Sequence, residues 1–197
     1  MDWTAIGLFL LAAMALLGSP GPGIAALLAV TRGSGLRAGL RYYAGLQVGL
    51  ALAAAISAAG LFSLLAAFPV LLQAASVCAV VYLVYLAYKI GTAPVRAAVP
   101  ATDAASPLAA FFLGTTNPKA YLAFASLMAS GTLVSAGATA DAALKWLLIV
   151  GVILIVDLAW VLLGAVLHRA TLPPRVERVM NLAFAAAILI AAVTALA

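Results

Sequence analysis

The chain has 197 residues, of which 68% are hydrophobic and 8% are charged, and its formal net charge is +5. Soluble domains are about half apolar and about a quarter charged, so a water-soluble fold could not cover this much apolar surface with polar groups. The composition excludes a substantial soluble domain. It predicts an all-α integral membrane protein, because alanine and leucine dominate and the apolar stretches lack the period-two alternation of strands.

Six apolar stretches follow one another along the chain, each near the length of about 20 residues that one membrane crossing requires. They cover residues 4–30, 42–63, 68–89, 107–130, 143–167 and 179–197. We expect a single transmembrane transporter domain over 1–197, with halves at about 1–89 and 107–197 and a proline-containing linker at 90–106. Two successive three-helix halves have opposite orientations, so they would form inverted repeats, as in many transporters.

The basic residues indicate how the predicted helices lie across the membrane. Eight of the ten lysines and arginines fall in the first, third and fifth joints between apolar stretches: Arg32, Arg37, Arg41, Lys89, Arg96, Arg169, Arg175 and Arg178. Cytoplasmic loops of membrane proteins carry an excess of lysine and arginine. The pattern therefore predicts that these three joints, including the linker, are cytoplasmic and that both termini lie outside.

The first helix of each predicted half is interrupted near its middle. Proline removes a backbone donor and clashes with the preceding turn, so each interruption should divide its helix into two half-helices. The positive N-terminal ends of the second half-helices would face the bilayer interior and attract an anion such as a carboxylate. A simple packing kink is the alternative at each place. The residues are Ser19, Pro20, Gly21, Pro22 and Gly23 in the first helix, and Asn117, Pro118 and Lys119 in the fourth.

Lys119 and Asp157 are the charged residues that lie well inside the predicted spans. A charge at the bilayer centre costs about 2.5–3.5 kcal/mol on insertion scales, so such residues are functional by default. We expect a site for a zwitterion, in which Lys119 and the helix ends bind a carboxylate and Asp157 binds an ammonium group. Asp157 is also the candidate carrier of a coupling proton. A structural ion pair is the alternative, and direct pairing is left open.

Four glycines form two Gly-x-x-x-Gly pairs in and before the second helix: Gly35 with Gly39, and Gly45 with Gly49. Such pairs let a neighbouring backbone approach closely. We favour a neighbour inside the monomer, with a homodimer left open. Gln47 lies between the second pair and is expected to line the same cavity as the buried charges, although such a side chain often only bonds to the next helix.

The sequence contains no phosphate loop, nucleophile constellation or metal-ligand cluster, and Cys78 is its single cysteine. We therefore expect no enzyme activity, no cofactor, no metal site and no nucleic-acid partner. The expected partners are a small-molecule substrate, protons and membrane lipid. The predicted substrate-binding residues are Pro20, Gly21, Pro22, Gly23, Gln47, Asn117, Pro118, Lys119 and Asp157.

Five motifs, in this order, together resemble the lysine exporter (LysE) family, in particular its homoserine/threonine exporter (RhtB) branch. They extend over nearly the whole chain. The motifs are Pro20-Gly21-Pro22, the stretch from Arg32 to Gly39 leading to Gly45-x-x-x-Gly49, the run Tyr82-Leu83-Val84-Tyr85-Leu86, Asn117-Pro118-Lys119-Ala120, and Asp157-Leu158-Ala159-Trp160.

The resemblance implies a secondary transporter that exports amino acids or related small zwitterionic metabolites across the cell inner membrane, driven by the proton motive force. The second helix lacks the acidic residue often found there in the family, so the resemblance leaves the substrate open. The alternatives are a heavy-metal or other small-solute exporter of the same superfamily and a non-transporting membrane assembly protein. By position, the resemblance implies functional roles for Pro20, Gly21, Pro22, Asn117, Pro118, Lys119 and Asp157.

Overall fold

The computed structural model describes residues 1–19, 21–60, 77, 80–81, 84–88, 91–92, 106–169 and 173–194. Every regular element in these ranges is helical. The long helices are α1 (Trp3–Gly18), α2 (Pro22–Ser34), α3 (Leu36–Ala58), α4 (Pro107–Thr116), α5 (Pro118–Met128), α6 (Ala138–Arg169) and α7 (Pro174–Thr194). Residues 84–88, inside the predicted third span, are also helical.

The predicted first span consists of two helices. Asp2 caps α1, because the backbone N–H groups of Thr4 and Ala5 donate to its carboxylate at 3.0 Å each. Helix α1 ends at Gly18, and α2 begins at Pro22 and runs at 61° to it. Pro20 lies outside the described residues, so its predicted role is not observed.

The predicted fourth span is likewise divided, into α4 and α5. Asn117 is the N-cap of α5, where the backbone N–H of Ala120 donates to its side-chain oxygen at 3.4 Å. Pro118 occupies the first helical position, where its missing N–H leaves no bond unmade. The structure thus has the half-helix start that the sequence predicted at Asn117.

The basic joint predicted between the first two spans is a single residue. Helix α2 continues to Ser34 and α3 begins at Leu36, six positions before the apolar stretch. Gly35 between them has φ +83°, a value that side chains disfavour, and this turns the chain within one residue. The helices extend beyond the apolar stretches because arginine is a good helix former.

Helix α6 has 32 residues and is therefore about 48 Å long, which exceeds the roughly 30 Å of a bilayer's hydrocarbon core. Among the described residues, it is the one helix that is long and apolar enough to cross a membrane by itself. The α1–α2 pair meets the same criteria only when its two bent parts are taken together.

The outer surface of the helices is strongly apolar. Leu8 on α1, Leu122 on α5 and Ile155 on α6 are 64%, 67% and 70% exposed. Soluble monomers rarely expose contiguous apolar surface on this scale, because water contact with it is unfavourable. This surface therefore suits contact with lipid.

Helix α3 packs against α2, α4, α5 and α6. Its contact with α4 is between backbones: a Cβ atom added at Gly45 would lie 1.9 Å from the carbonyl oxygen of Pro107, and one at Gly49 would lie 2.3 Å from that of Phe111. The second Gly-x-x-x-Gly pair therefore serves packing inside the monomer, as we favoured from the sequence.

A buried ion pair holds the loop between α5 and α6. The ammonium group of Lys145 lies 2.9 Å from the carboxylate of Asp141 and donates to the carbonyl oxygens of Met128 and Ser130 at 3.2 and 2.9 Å. Asp141 in turn accepts a hydrogen bond from the backbone N–H of Leu133 at 2.6 Å. Because these groups bond to one another and to the loop, they have a structural role.

Candidate functional site

A cavity of about 50 Å³ lies where the two helix breaks meet, with walls from α1, α2, α3, α5 and α6. Among the described residues, its polar lining consists of Ser19, Gly21, Gly23, Asn117, Lys119 and Asp157, and the other lining side chains are hydrocarbon. This volume is enough for a few water molecules or a part of a small solute. Both predicted intramembrane charges thus reach one partly open cavity.

Lys119 connects the two helix breaks. Its ammonium group donates to the backbone carbonyl oxygen of Ser19 at 2.7 Å and to the Ser19 hydroxyl oxygen at 2.8 Å. The lysine stem passes directly over Gly21, where an added Cβ atom would lie 2.8 Å from Lys119 Cδ. Gly21 therefore leaves the room that this side chain occupies.

Two helix N-termini adjoin this cation. The N-cap of α2 is Gly21, which has no side chain to accept from the first-turn N–H groups, and the next residues Gly23 and Ile24 line the cavity. Helix α5 begins at Asn117, which also lines it. Helix N-termini carry a partial positive charge, so together with Lys119 they make this end of the cavity electropositive.

The opposite charge comes from Asp157 near the middle of α6, which is only 4% exposed. The side-chain amide of Gln47 on α3 donates to its carboxylate at 2.7 Å. The Gln47 side chain is itself buried, and its oxygen Oε1 has no hydrogen-bond partner within the described part of the chain. A buried acceptor without a donor costs about 1–3 kcal/mol, which marks this oxygen as unusual.

The two charged groups have different partners. The Lys119 ammonium bonds to Ser19, whereas the Asp157 carboxylate accepts from Gln47. Among the residues that the structure describes, no ion pair joins Lys119 and Asp157. The cavity therefore has a positive end and a negative group that do not neutralise each other directly.

The structure brings most of the predicted site residues together. Gly21, Gly23, Asn117, Lys119 and Asp157 line the cavity itself. Gln47 is in contact with this group through its hydrogen bond to Asp157. Pro22 and Pro118 are the first residues of α2 and α5 and fix where these helices begin.

Sequence reasoning missed Ser19 as the partner of Lys119. A hydroxyl group directly before a proline-glycine break in an apolar stretch could have indicated it, because such a group needs a hydrogen-bond partner inside a membrane. The hydrocarbon wall, which includes Leu46, Leu50, Phe124 and Ile153, was also not predicted. No local signal separates these residues from ordinary core residues.

Broken helices around a small cavity that contains charged groups, inside a helical molecule with an apolar exterior, are typical of membrane transporters. The family model described as LysE type translocator matches residues 14–197. The chain therefore belongs to the LysE family, whose members are membrane translocators of small solutes and not enzymes. No curated protein and no solved structure matches it.

Proposed function

We propose that this translocator exports amino acids or related small zwitterionic metabolites across the inner membrane, in exchange for protons, as in the RhtB branch of its family. The observation that carries the proposal is the cavity with a positive end at Lys119 and a negative group at Asp157. A solute with one carboxylate and one ammonium group complements both charges, and its binding would offset the cost of keeping the Asp157 carboxylate buried.

The carboxylate of the solute would bind at the electropositive end. Lys119 supplies a full charge there, and the N-termini of α2 and α5 supply partial charges. The N–H groups of the α2 first turn have no side-chain cap, so they are suited to an anion. In this proposal Pro20, Pro22 and Pro118 act by fixing the helix breaks.

The ammonium group would bind between Asp157 and Gln47. An ammonium group has three N–H donors, and the carboxylate of Asp157 together with the unpartnered Oε1 of Gln47 offers acceptors of the right kind. Binding there would give Gln47 Oε1 the donor that the described residues do not provide. Gln47 and Asp157 are therefore proposed to form the ammonium end of the site.

Proton coupling follows from the same carboxylate. Asp157 can hold either a proton or the ammonium group of the solute, because a protonated carboxyl group has no charge with which to bind a cation. If the proton binds from outside as the solute leaves, and is released inside as the next solute binds, the result is exchange. The inward proton gradient would then drive export.

The proposed architecture has six membrane crossings in two inverted halves, about 1–89 and 107–197, joined by a cytoplasmic linker at 90–106, with both termini outside. Two observations support it. The helix breaks occur at the first predicted span of each half. Eight of the ten basic residues fall in alternate joints. A homodimer stays an open prediction.

The proposal is tested with purified protein in liposomes under an imposed proton gradient, by following counterflow of a panel of labelled amino acids. We expect wild type to move one class of amino acid, and Asp157→Asn and Lys119→Met to lose at least about 30-fold in rate, since losing one partner of a buried charge contact costs about 2 kcal/mol or more.

Asp2→Asn is the matched control, because asparagine also caps helices and Asp2 lies at the start of α1, outside the cavity. Wild-type rates in folded Asp157→Asn and Lys119→Met would contradict the proposed site. A folded wild-type protein that moves no amino acid would overturn the amino-acid assignment.

A further inference from the structure

We infer that the C-terminal half of α2, residues 27–34, is the cytoplasmic gate of the transport path, and that Thr31 keeps this gate closed by packing between α3 and α6. The inference rests on the proposed function for the solute and for the side that is cytoplasmic, and it adds how the site is reached. Three features of the described residues carry it: the packing of Thr31, a fully buried layer next to it, and the form of the two ends of α2.

Thr31 fills the contact between three helices. It is fully buried, and its hydroxyl group donates to the carbonyl oxygen of Leu27 in its own helix at 2.7 Å. A Cβ atom added at Gly39 of α3 would overlap Thr31 Oγ1, and one added at Gly164 of α6 would lie 2.8 Å from Thr31 Cβ. The threonine therefore occupies the room that both glycines leave, and α2, α3 and α6 interlock at this level.

A fully buried layer separates this contact from the cavity. On each of the three helices, the contact and the cavity are about two turns, or roughly 10 Å, apart. The residues that line the cavity at its end of this interval are Ile24, Leu46 and Asp157. Between the two levels are fully buried side chains of the hydrophobic core: Leu27, Tyr42 and Val161. Because such interiors are close-packed, a solute cannot pass between these helices while the layer is intact.

The cytoplasm lies beyond this layer in the proposed topology, because the joint at Gly35 belongs to the cytoplasmic side. Nδ1 of His168, at the end of α6, also lies 2.6 Å from the carbonyl oxygen of Arg32 in the last turn of α2. The end of α2 is therefore attached to α6 on the cytoplasmic side of Thr31. A solute that enters between these helices must first separate α2 from α3 and α6.

Helix α2 is the element suited to this movement. It has 13 residues, begins at the helix break and ends at Gly35, where the chain turns within one residue. Hinges are commonly a few residues at the ends of such elements. Helices α3 and α6, in contrast, are joined to each other by three hydrogen bonds: between Gln47 and Asp157, between Tyr43 and the carbonyl oxygen of Leu154, and between Trp146 and that of Ala51.

The first experiment measures how fast the cavity is reached from the cytoplasmic side. Cys78→Ser removes the single cysteine, Ile24→Cys places a new one in the cavity lining, and a charged, membrane-impermeant maleimide is added to the cytoplasmic side of vesicles. Thr31→Ala removes packing atoms, and Gly164→Ala pushes α2 away from α6. Both should raise the labelling rate by at least about tenfold, since a packing defect in the closed state shifts its equilibrium with the open state by this order.

Thr4→Ala and Gly7→Ala are the matched controls, because Thr4 is exposed on α1 and no atom lies within 4 Å of a Cβ atom added at Gly7. If Gly164→Ala does not fold, Thr31→Ala decides. An unchanged labelling rate in the folded gate variants would overturn the inference, even where counterflow proceeds. If labelling rises as expected while no amino acid is moved, the gate stands and the amino-acid assignment fails.

The second experiment asks whether packing, and not the hydroxyl group, holds the gate. Thr31→Val keeps the branched shape between Gly39 and Gly164 and removes only the hydroxyl group, whose hydrogen bond stays within α2. We expect the labelling rate of the wild-type gate in this variant. A rate as high as that of Thr31→Ala would overturn the assignment of the gate to this packing contact.

Discussion

Gln47 and Asp157 form a contact in which only half of the amide group is used. The amide nitrogen donates to the carboxylate at 2.7 Å, while the amide oxygen is buried without a partner among the described residues. Proteins rarely leave such an atom unpaired, since almost all buried polar groups have a hydrogen-bond partner. In the proposed function a solute would supply the missing donor, and Gln47 would then both orient Asp157 and accept a hydrogen bond from the solute.

Replacing Gln47 tests this role at the scale of one residue. Gln47→Leu should raise the KM for counterflow by about 10- to 100-fold, because a hydrogen bond to a charged group contributes about 1.5–3 kcal/mol. The amount of folded protein should not fall. Leucine is similar in size to glutamine, and the substitution removes the buried oxygen that has no partner among the described residues. Val48→Ala, on the exposed side of the same turn, is the control. A wild-type KM in Gln47→Leu would contradict the assignment.

Among the elements, α3 and α4 approach each other most closely at the described glycines, as measured by the distance from an added Cβ atom to the neighbouring backbone. This approach depends on the missing side chains of Gly45 and Gly49. Such an approach lets the helices gain dispersion contacts and short Cα–H···O contacts, which replace the hydrophobic driving force that is missing in lipid. The same contact positions Gln47, because it lies on α3 between the two glycines.

Gly45→Ala tests this contact. The new Cβ atom would lie 1.9 Å from the Pro107 carbonyl oxygen, so α4 must move away. We expect a loss of at least about 1–3 kcal/mol, as for other overpacked sites, measured by thermal unfolding in detergent. Gly151→Ala is the matched control, since no atom lies within 4 Å of its Cβ position and alanine favours the helix. Equal stability of the two variants would refute the close contact.

At the scale of the whole molecule, the buried Lys145 and the partly exposed Lys119 have different surroundings. Lys145 is bonded to Asp141 and to two loop carbonyl oxygens. It also lines a second described cavity, which lies at the beginning of α6 and is not lined by Asp157. Lys119 lines the cavity with Asp157 and bonds to Ser19. The contacts of Lys145 therefore stabilise the fold, whereas Lys119 is the lysine to which the proposed function assigns the solute carboxylate.

A comparison of Lys145→Met with Lys119→Met tests this division. Lys145→Met leaves Asp141 buried without its cation, so it should destabilise the protein by about 3 kcal/mol or more, as breaking buried ion pairs does. The fraction that stays folded should transport with the wild-type KM. Lys119→Met should show the reverse pattern, with a stable fold and lost transport. Lys145→Met protein that is as stable as wild type would contradict the structural role.

The parts of this molecule that local rules govern were predictable from the sequence. Asn117 and Pro118 begin a helix in the structure as predicted, because an N-cap and a first-turn proline act within a few residues. The start of α3 at Leu36 was missed, since hydropathy reports the apolar stretch and not the helix. The pairing of Gln47 with Asp157 could not be predicted, because it depends on how α3 packs against α6.

The packing of α3 also has a consequence for how the protein is made. The glycine face of α3 is covered by α4, and Gln47 meets Asp157 on α6, yet both partners follow α3 in the chain. During synthesis the glycine face of α3 therefore lacks its contact with α4 until the second half of the chain has been made. A fragment that ends before α4 would lack Asn117, Lys119 and Asp157, and the α4 contact of its glycine face would be missing.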